Sequence, residues 1–359
     1  MSRLSRLIRK IKSKAHERGM STGEMESFIE ESVSFRSMPG KILSSGKPLT
    51  ILCAMMTYDY GKRRQGYSYE ENNFFHSLLN MGHRVIKFDF MELTDKFGRT
   101  IMNKMLYEVA LRYNPDVVFT ALYTDQFDQE ILKRIASELK INTFNWFFDD
   151  VWRFDLYTRY WAHCFTWVAT THKNAIQKYH DIGYTNVIVT QFACNHFLCK
   201  RLPLEKIYDV TFIGQPHGDR KDIISNLKAA NINVQVWGQG WPTGRVTQAE
   251  MIRIFNQSKI NLNLTKTSFG MVDQIKGRDF EIPGCGGFLI TGYSDEIQDY
   301  FEIDDEIVCY KDVDDLIDNV RYYLRHDSSR EKIAHAGYER TLREHTYEKR
   351  FSTIFEKIF

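Results

Sequence analysis

The chain has 359 residues, 43% hydrophobic and 26% charged, so it can bury real cores and is too long for one ordinary domain. It lacks any apolar run near the roughly 20 residues of a membrane span, and its start is basic rather than signal-like, which sets aside integral membrane proteins and Sec-type export. The net charge of +2 is uneven: seven Lys/Arg and one Glu give residues 1–20 a local +6 and leave −4 on the remaining 339.

A mildly acidic body argues against nucleic acid as a partner, because phosphate neutralisation needs a basic face. The six cysteines (Cys53, Cys164, Cys194, Cys199, Cys285, Cys309) are scattered and mostly in apolar contexts. There is no Cys-x-x-Cys, and Cys194 and Cys199 around His196 are poorly spaced for zinc. They read as reduced, buried thiols of a reducing, cytoplasmic compartment.

Along the chain, Leu4, Leu7, Ile8 and Ile11 recur at helical spacing with Arg and Lys between them. This basic amphipathic helix over 3–12 suits an anionic membrane surface, such as the inner membrane face, or else a solvated arm. Residues 21–47 are Ser/Gly/Glu-rich and read as linker, completing a first segment of 1–47. From Pro48 onward β and α patterns alternate. Strands are expected at 49–57, 84–90, 116–122, 142–148, 164–170 and 186–192, and helices at 69–81, 101–113, 127–140 and 171–181. Residues 193–208 break the rhythm. A second series places strands at 209–214, 232–237, 259–264, 286–291 and 306–310, with helices at 219–230, 247–257, 274–282, 294–301, 312–326 and 328–345. The expected class is α/β: two Rossmann-like, doubly wound parallel-sheet domains at 48–195 and 196–345, behind a basic helical arm. A C-terminal helix at 346–359 packs back on the first domain in this scheme, and ligands belong between strand ends.

Four segments carry candidate chemistry. In Ser268–Thr291 a polar loop with Gly270 leads into a helix that Pro283 and Gly284 end. Arg278 and Glu281 share one face of it, a guanidinium suited to phosphate and a carboxylate suited to ribose hydroxyls. A surface ion pair is the plainer alternative. In Phe212–Lys221, Gly214 and Gly218 let backbone approach a ligand while Arg220 and Lys221 charge the first helical turn, although any βα connection can carry such glycines. The first βα loop holds Tyr60, Gly61, Lys62, Arg63, Arg64 and Gly66 at a strand's carboxyl end, where ligands bind open sheets. The fourth strand ends at Asp149 and Asp150 beside Trp152. A carboxylate leaving an apolar wall can serve as general base, and Asp150 can equally cap the next helix. Two parallel-sheet halves argue against taking this Asp pair as a metal motif, so no metal is expected.

The stretches DVTFIGQPHGDR, VWGQGW (Val236 to Trp241, containing Gly238), GRDFEIPGCGGFLIT and IAHAGYERTLREHTYEKR resemble the GT-B glycosyltransferases, specifically their CgeB-like group of spore-maturation and cell-surface enzymes. FNWFFDDVWR and TQFACNHF extend the likeness more weakly into the first half. The resemblance implies a nucleoside-diphosphate-sugar donor held by the C-terminal domain, with no separate cofactor. It implies a glycan, lipid-linked or protein acceptor held by the N-terminal one. Glu281 would bind ribose, and Arg278 and Arg220 the diphosphate, with Lys221 and Gly238 nearby. Retaining relatives carry a glutamate eight positions before the ribose carboxylate; here that position is Asp273, one methylene shorter. Tyr60, Gly61, Arg63 and Trp152 would line the acceptor side. A nucleotide-sugar 2-epimerase, with His217 as its best-placed imidazole, and a non-catalytic nucleotide-sugar-binding or coat-associated module share the architecture.

Overall fold

A computed structural model describes residues 34–36, 47–267 and 272–359. The amphipathic helix expected at 3–12, most of the linker at 21–47, and Gly270 with its neighbours at 268–271 lie outside the described residues. Two compact units emerge. One extends to Thr190 and includes Ile354–Phe359; the other is Gln191–Thr353. Among the described residues no helix is long and apolar enough to cross a membrane.

The first unit carries β1 (Ser34–Arg36), β2 (Thr50–Ala54), β3 (Arg84–Phe88), β4 (Val117–Thr120), β5 (Asn142–Phe147), β6 (Trp167–Thr170) and β7 (Val187–Val189), in the order β1-β3-β2-β4-β5-β6-β7. Strands β2 to β7 are parallel, each built from an apolar run that helices cover on both faces. Strand β1 is an antiparallel edge addition, with Ser34 opposite Lys87, inside the segment expected to be linker. Its three residues are too few for any periodic signal.

A helix at Phe90–Phe97 also differs from the expectation of a strand reaching residue 90. Asp89 stops that strand: its Oδ1 accepts the Met91 and Glu92 N–H groups at 3.0 Å each, and its Oδ2 accepts from Thr57 N at 3.0 Å. The helix expected at 69–81 starts at residue 69 and widens into a π-helical turn, Glu71–Phe75, before His76–Asn80 continues it. The wider turn seats Phe74 in the core, with its ring 4.8 Å from Trp146 and 5.5 Å from Phe119.

The second unit holds β8 (Tyr208–Ile213), β9 (Val234–Trp237), β10 (Ser258–Asn263), β11 (Leu289–Gly292) and β12 (Val308–Tyr310), all parallel in the order β12-β11-β10-β8-β9. Val210, Phe212, Ile260, Leu262 and Ile290 form its core with Leu227, Leu316 and Val320 of the covering helices. Strand order reverses between β2 and β4 in the first unit and between β8 and β10 in the second. Open α/β sheets bind ligands at the carboxyl ends of such strand pairs.

The His-Thr-Tyr element closes the second unit. His345 Nε2–H donates to Tyr300 O at 2.6 Å while Nδ1 accepts from Arg350 at 3.2 Å, so the ring is neutral. Tyr347 N donates to Cys194 O at 3.1 Å. Phe280 and Phe301 flank the imidazole with ring centres 5.4 and 5.1 Å away. Burial, aided by the Arg350 charge, lowers the His345 pKa to about 4. An unfolded histidine titrates near 6.5, so as pH falls the unfolded chain takes the proton first. The stabilisation is complete above about pH 6.5 and is lost towards pH 4, a contribution on the order of 3 kcal/mol. Thermal unfolding followed across this window should therefore weaken with acid, and His345→Gln should be less stable at pH 7 but show a flatter profile. A variant with the wild-type slope would assign the acid sensitivity to other groups.

Candidate functional site

At the β8 end, Gly214 N donates to Trp237 O and Gly214 O accepts from Trp241 Nε1, both at 2.8 Å. This closes the loop after β9 onto the loop after β8. Gly238 has φ +145°, and a Cβ there would stand 2.2 Å from Gly214 O. Gly238 thus serves backbone-to-backbone packing, while at Gly214 the missing side chain makes room for the Phe212 ring, 2.6 Å from where a Cβ would stand. Gly238→Ala should cost at least about 2 kcal/mol, since strain and a backbone clash combine. Gly244→Ala, at φ +72° with open space around the added methyl, should cost only about 1 kcal/mol. Urea midpoints of the two variants check the difference; equal shifts would refute the clash.

Arg220 begins the next helix, Arg220–Ala229, yet is only 6% exposed. Its Nε and Nη2 donate to Leu264 O at 3.1 and 2.6 Å, and its Nη1 donates to Gln215 O at 3.0 Å. The guanidinium therefore spans the β8/β10 switch point, tying both strand ends together. Among the described residues no carboxylate lies within ion-pair distance of it. Burial lowers its pKa to about 10, still cationic at neutral pH. His217, on the same loop, is pushed down to about 4 by burial and then by Arg220 and Lys276, and its Nδ1 is buried without a partner. Lys221 is exposed on the first turn.

The helix expected over 274–282 is Arg278–Gly284. Asp279 sets its start. Fully buried, its Oδ2 accepts Lys276 N at 2.8 Å, while its Oδ1 takes Asn263 Nδ2 from β10 at 2.7 Å and Thr291 Oγ1 from β11 at 2.6 Å. This carboxylate escaped sequence reasoning, because only the pairing of β10 with β11 brings its partners together. Pro283 stands inside the last turn rather than ending the helix before it, and Cys285 N reaches Glu281 O at 3.1 Å.

Arg278 and Glu281 do form an ion pair, through Nη1 and Oε2, though not a surface one: the Glu281 side chain is 1% exposed and that of Arg278 28%. The Arg278 Nε is buried without an acceptor, and the guanidinium stands 5.9 Å over the Phe255 ring. Asp273 lies at the base of the preceding loop, bridged to Lys266. Thr265 Oγ1 and Lys266 Nζ each donate to its carboxylate at 2.7 Å. Arg220, Arg278 and Lys276 thus gather positive potential around the β8 and β10 ends, with an uncharged His217 among them and Glu281 as a buried acceptor beside them.

In the first unit, the Tyr60 ring meets Tyr123 edge-on at 5.8 Å, across the β2/β4 switch point. Gly61 completes the short turn Asp59–Gly61, and Arg63 lies over Tyr58 at 5.6 Å. Arg153 stacks on Trp152 and Tyr157 at 5.7 and 4.2 Å and donates to Tyr123 O at 3.0 Å, which joins Trp152 to this aromatic cluster. The two aspartates part ways. Asp149 precedes the turn Asp150–Arg153 and is half-buried. Asp150 is 2% exposed, with Oδ1 accepting Thr158 Oγ1 at 2.6 Å and Oδ2 accepting Tyr179 OH at 2.7 Å. Burial raises its pKa against those hydrogen bonds. Asp150 is a wall carboxylate tied to hydroxyls, and it is Asp149 that holds the cap position, without a side-chain cap. Among the described residues no group of three or more His, Cys, Asp or Glu is placed to hold a metal.

A family model described as "Glycosyl transferase-like" matches residues 220–356. Spore protein CgeB of Bacillus subtilis (strain 168) is 22% identical over 209 residues, covering 51% of this chain. The match spans 64% of that protein, just under two thirds of its length. Among solved structures, Anabaena HepE in complex with UDP and glucose superposes with a TM-score of 0.59 at 9% identity, over 87% of this chain and 100% of that one. A glycosyltransferase from Rickettsia africae gives 0.57 at 11% identity, over 87% and 99%. At such identities the two structures share the fold.

Proposed function

We propose that this chain, which shares the GT-B fold and is similar to CgeB, moves a glycosyl group from a nucleoside-diphosphate sugar to an acceptor hydroxyl, without a metal. One observation carries the proposal: a buried carboxylate paired with a half-open arginine, beside a second, buried arginine that has no carboxylate of its own at a switch point. Glu281 takes the two ribose hydroxyls as a charged acceptor. Arg278, with its partly exposed guanidinium, contacts the diphosphate, and Arg220 supplies fixed positive charge behind it. Lys221 and Lys276 add to that field. As the carbon–oxygen bond to the leaving phosphate breaks, negative charge grows on the nucleoside diphosphate, and these preorganised cations stabilise it.

The acceptor, a glycan, lipid-linked or protein hydroxyl, binds on the unit bearing Tyr60, Gly61, Arg63 and Trp152. Inversion requires a base for its proton, and Asp149 is the better placed of the aspartate pair because it is half-buried, whereas Asp150 is 2% exposed. Under retention, the departing phosphate takes that proton. Asp273, engaged by Thr265 and Lys266, takes the place of the glutamate that retaining relatives bring near the donor sugar. The reaction belongs to the cytoplasm, docked on the inner membrane face through residues 1–20 and serving a surface glycan.

The test is incubation with UDP- and GDP-sugars, with and without EDTA, following nucleoside diphosphate release and labelled sugar on acceptor. Release that survives EDTA supports the proposal. Release abolished by EDTA refutes metal independence, an altered sugar without release marks an epimerase, and binding without turnover marks a non-catalytic module.

A further inference from the structure

At the amino-terminal ends of the second unit's strands, opposite the ends that carry Arg220 and Arg278, a cavity of about 510 Å³ is lined by Arg201, Leu204, Lys206, Asn256, Gly286 and Glu331. Its charges do not balance. Arg201 is exposed and Lys206 half-buried, and among the described residues neither makes a hydrogen bond or ion pair. Glu331, the cavity's one carboxylate, pairs at 3.6 Å with Arg330, a third cation that is 3% exposed. Arg330 also holds Asp327 at 2.7 Å, and its Nε is buried without an acceptor. Burial depresses the Lys206 pKa, Glu331 opposes this, and Arg330 and Arg201 add to the depression.

The wall is fixed rather than collapsed. Asn256 Oδ1 accepts Leu202 N at 2.7 Å, and its Nδ2 donates to Lys200 O at 3.0 Å and Ile252 O at 2.8 Å, so this side chain is fully engaged in holding the chain that carries Arg201. A Cβ on Gly286 would stand 2.9 Å from Arg201 Cγ; the missing side chain makes room for the arginine stem. Two wall cations outside any ion pair, Arg201 and Lys206, against one lining carboxylate that Arg330 already engages, favour an anion, and the volume lies within the range of small-molecule sites.

We infer that this cavity is a second anion site, separate from Arg278 and Glu281, that takes a small phosphate-bearing metabolite between Arg201 and Lys206. The experiment titrates inorganic phosphate into the full chain in phosphate-free buffer, by calorimetry, and compares wild type with Arg201→Ala/Lys206→Ala and with Arg278→Ala. The double variant should bind phosphate at least tenfold more weakly at one site, while Arg278→Ala keeps that site within twofold. Leu204→Trp, which fills the cavity and leaves every charge in place, should also abolish it and guards against a folding defect in the double variant. Undiminished binding in both the double and the Leu204→Trp variants, or loss in Arg278→Ala alone, overturns the inference. Nucleoside diphosphate release by the double variant reads the donor site independently, so failure of one proposal is not mistaken for failure of the other.

Discussion

Glu281→Ala should raise the donor KM at least tenfold and lower kcat/KM about a hundredfold, which corresponds to about 2.7 kcal/mol of lost transition-state stabilisation. The size follows from the role. Two hydroxyls donating to one charged acceptor that already holds an ion pair contribute about 1.5 kcal/mol each, the low end for charged hydrogen bonds, and alanine removes both. A second effect works in the same direction. Arg278 now shares its Nη1 with Glu281, so without that carboxylate the guanidinium is no longer held to one face of its helix. Glu281→Gln separates the contributions: it keeps an acceptor for ribose but loses the ion pair, and should fall between alanine and wild type. Donor-saturation kinetics with circular dichroism as a folding control provide the measurement. A folded alanine variant with the wild-type KM would remove Glu281 from the donor site.

The largest effect on stability is expected at Asp279. Alanine there leaves Thr291 Oγ1 and Lys276 N without their acceptor in a fully buried place, and Asn263 Nδ2 with only a 3.3 Å bond to Thr291 Oγ1. Orphaned donors cost about 1–3 kcal/mol each and do not add fully, so a loss of about 3–5 kcal/mol is expected. At roughly 2–4 °C per kcal/mol for a unit of this size, the melting temperature should drop by about 10 °C. The same change frees the start of the Arg278–Gly284 helix, so donor affinity should fall along with stability. Asp279→Asn keeps the volume but turns an amide towards either Lys276 N or the two side-chain donors, and should recover only part of the loss. An alanine variant that melts within 2 °C of wild type would show that water replaces the missing oxygens.

What the residues alone disclosed depended on how local each signal was. Every parallel strand was legible, because a continuous apolar run bounded by polar turns needs no partner to be recognised. The Arg278–Glu281 pair was also legible from its spacing of three. Its burial was not, since the surrounding Phe255 and the Cys194 segment arrive from distant parts of the chain. Arg220 stood out as a charge after a glycine loop, but its bonds to Leu264 O and Gln215 O exist only once β8 lies beside β10. Asp150 misled for a related reason. Emerging from an aromatic run, it looked like a cleft acid, whereas the hydroxyls of Thr158 and Tyr179 come from 8 and 29 residues further on. The helix Phe90–Phe97 was hidden by the apolar run before it, although Asp89 carried the usual mark of a helix start.

The contact between Gly214 and Gly238 limits how this protein can be retuned. Two loops whose main chains touch move as one piece, and Gly238 gains no side chain at the touching point without displacing the main chain of the loop after β8. A shift in donor preference, by selection or by engineering, would therefore come from side-chain changes that keep the Trp241 Nε1–Gly214 O hydrogen bond and leave the backbone unchanged. Lengthening either loop would instead disturb both at once.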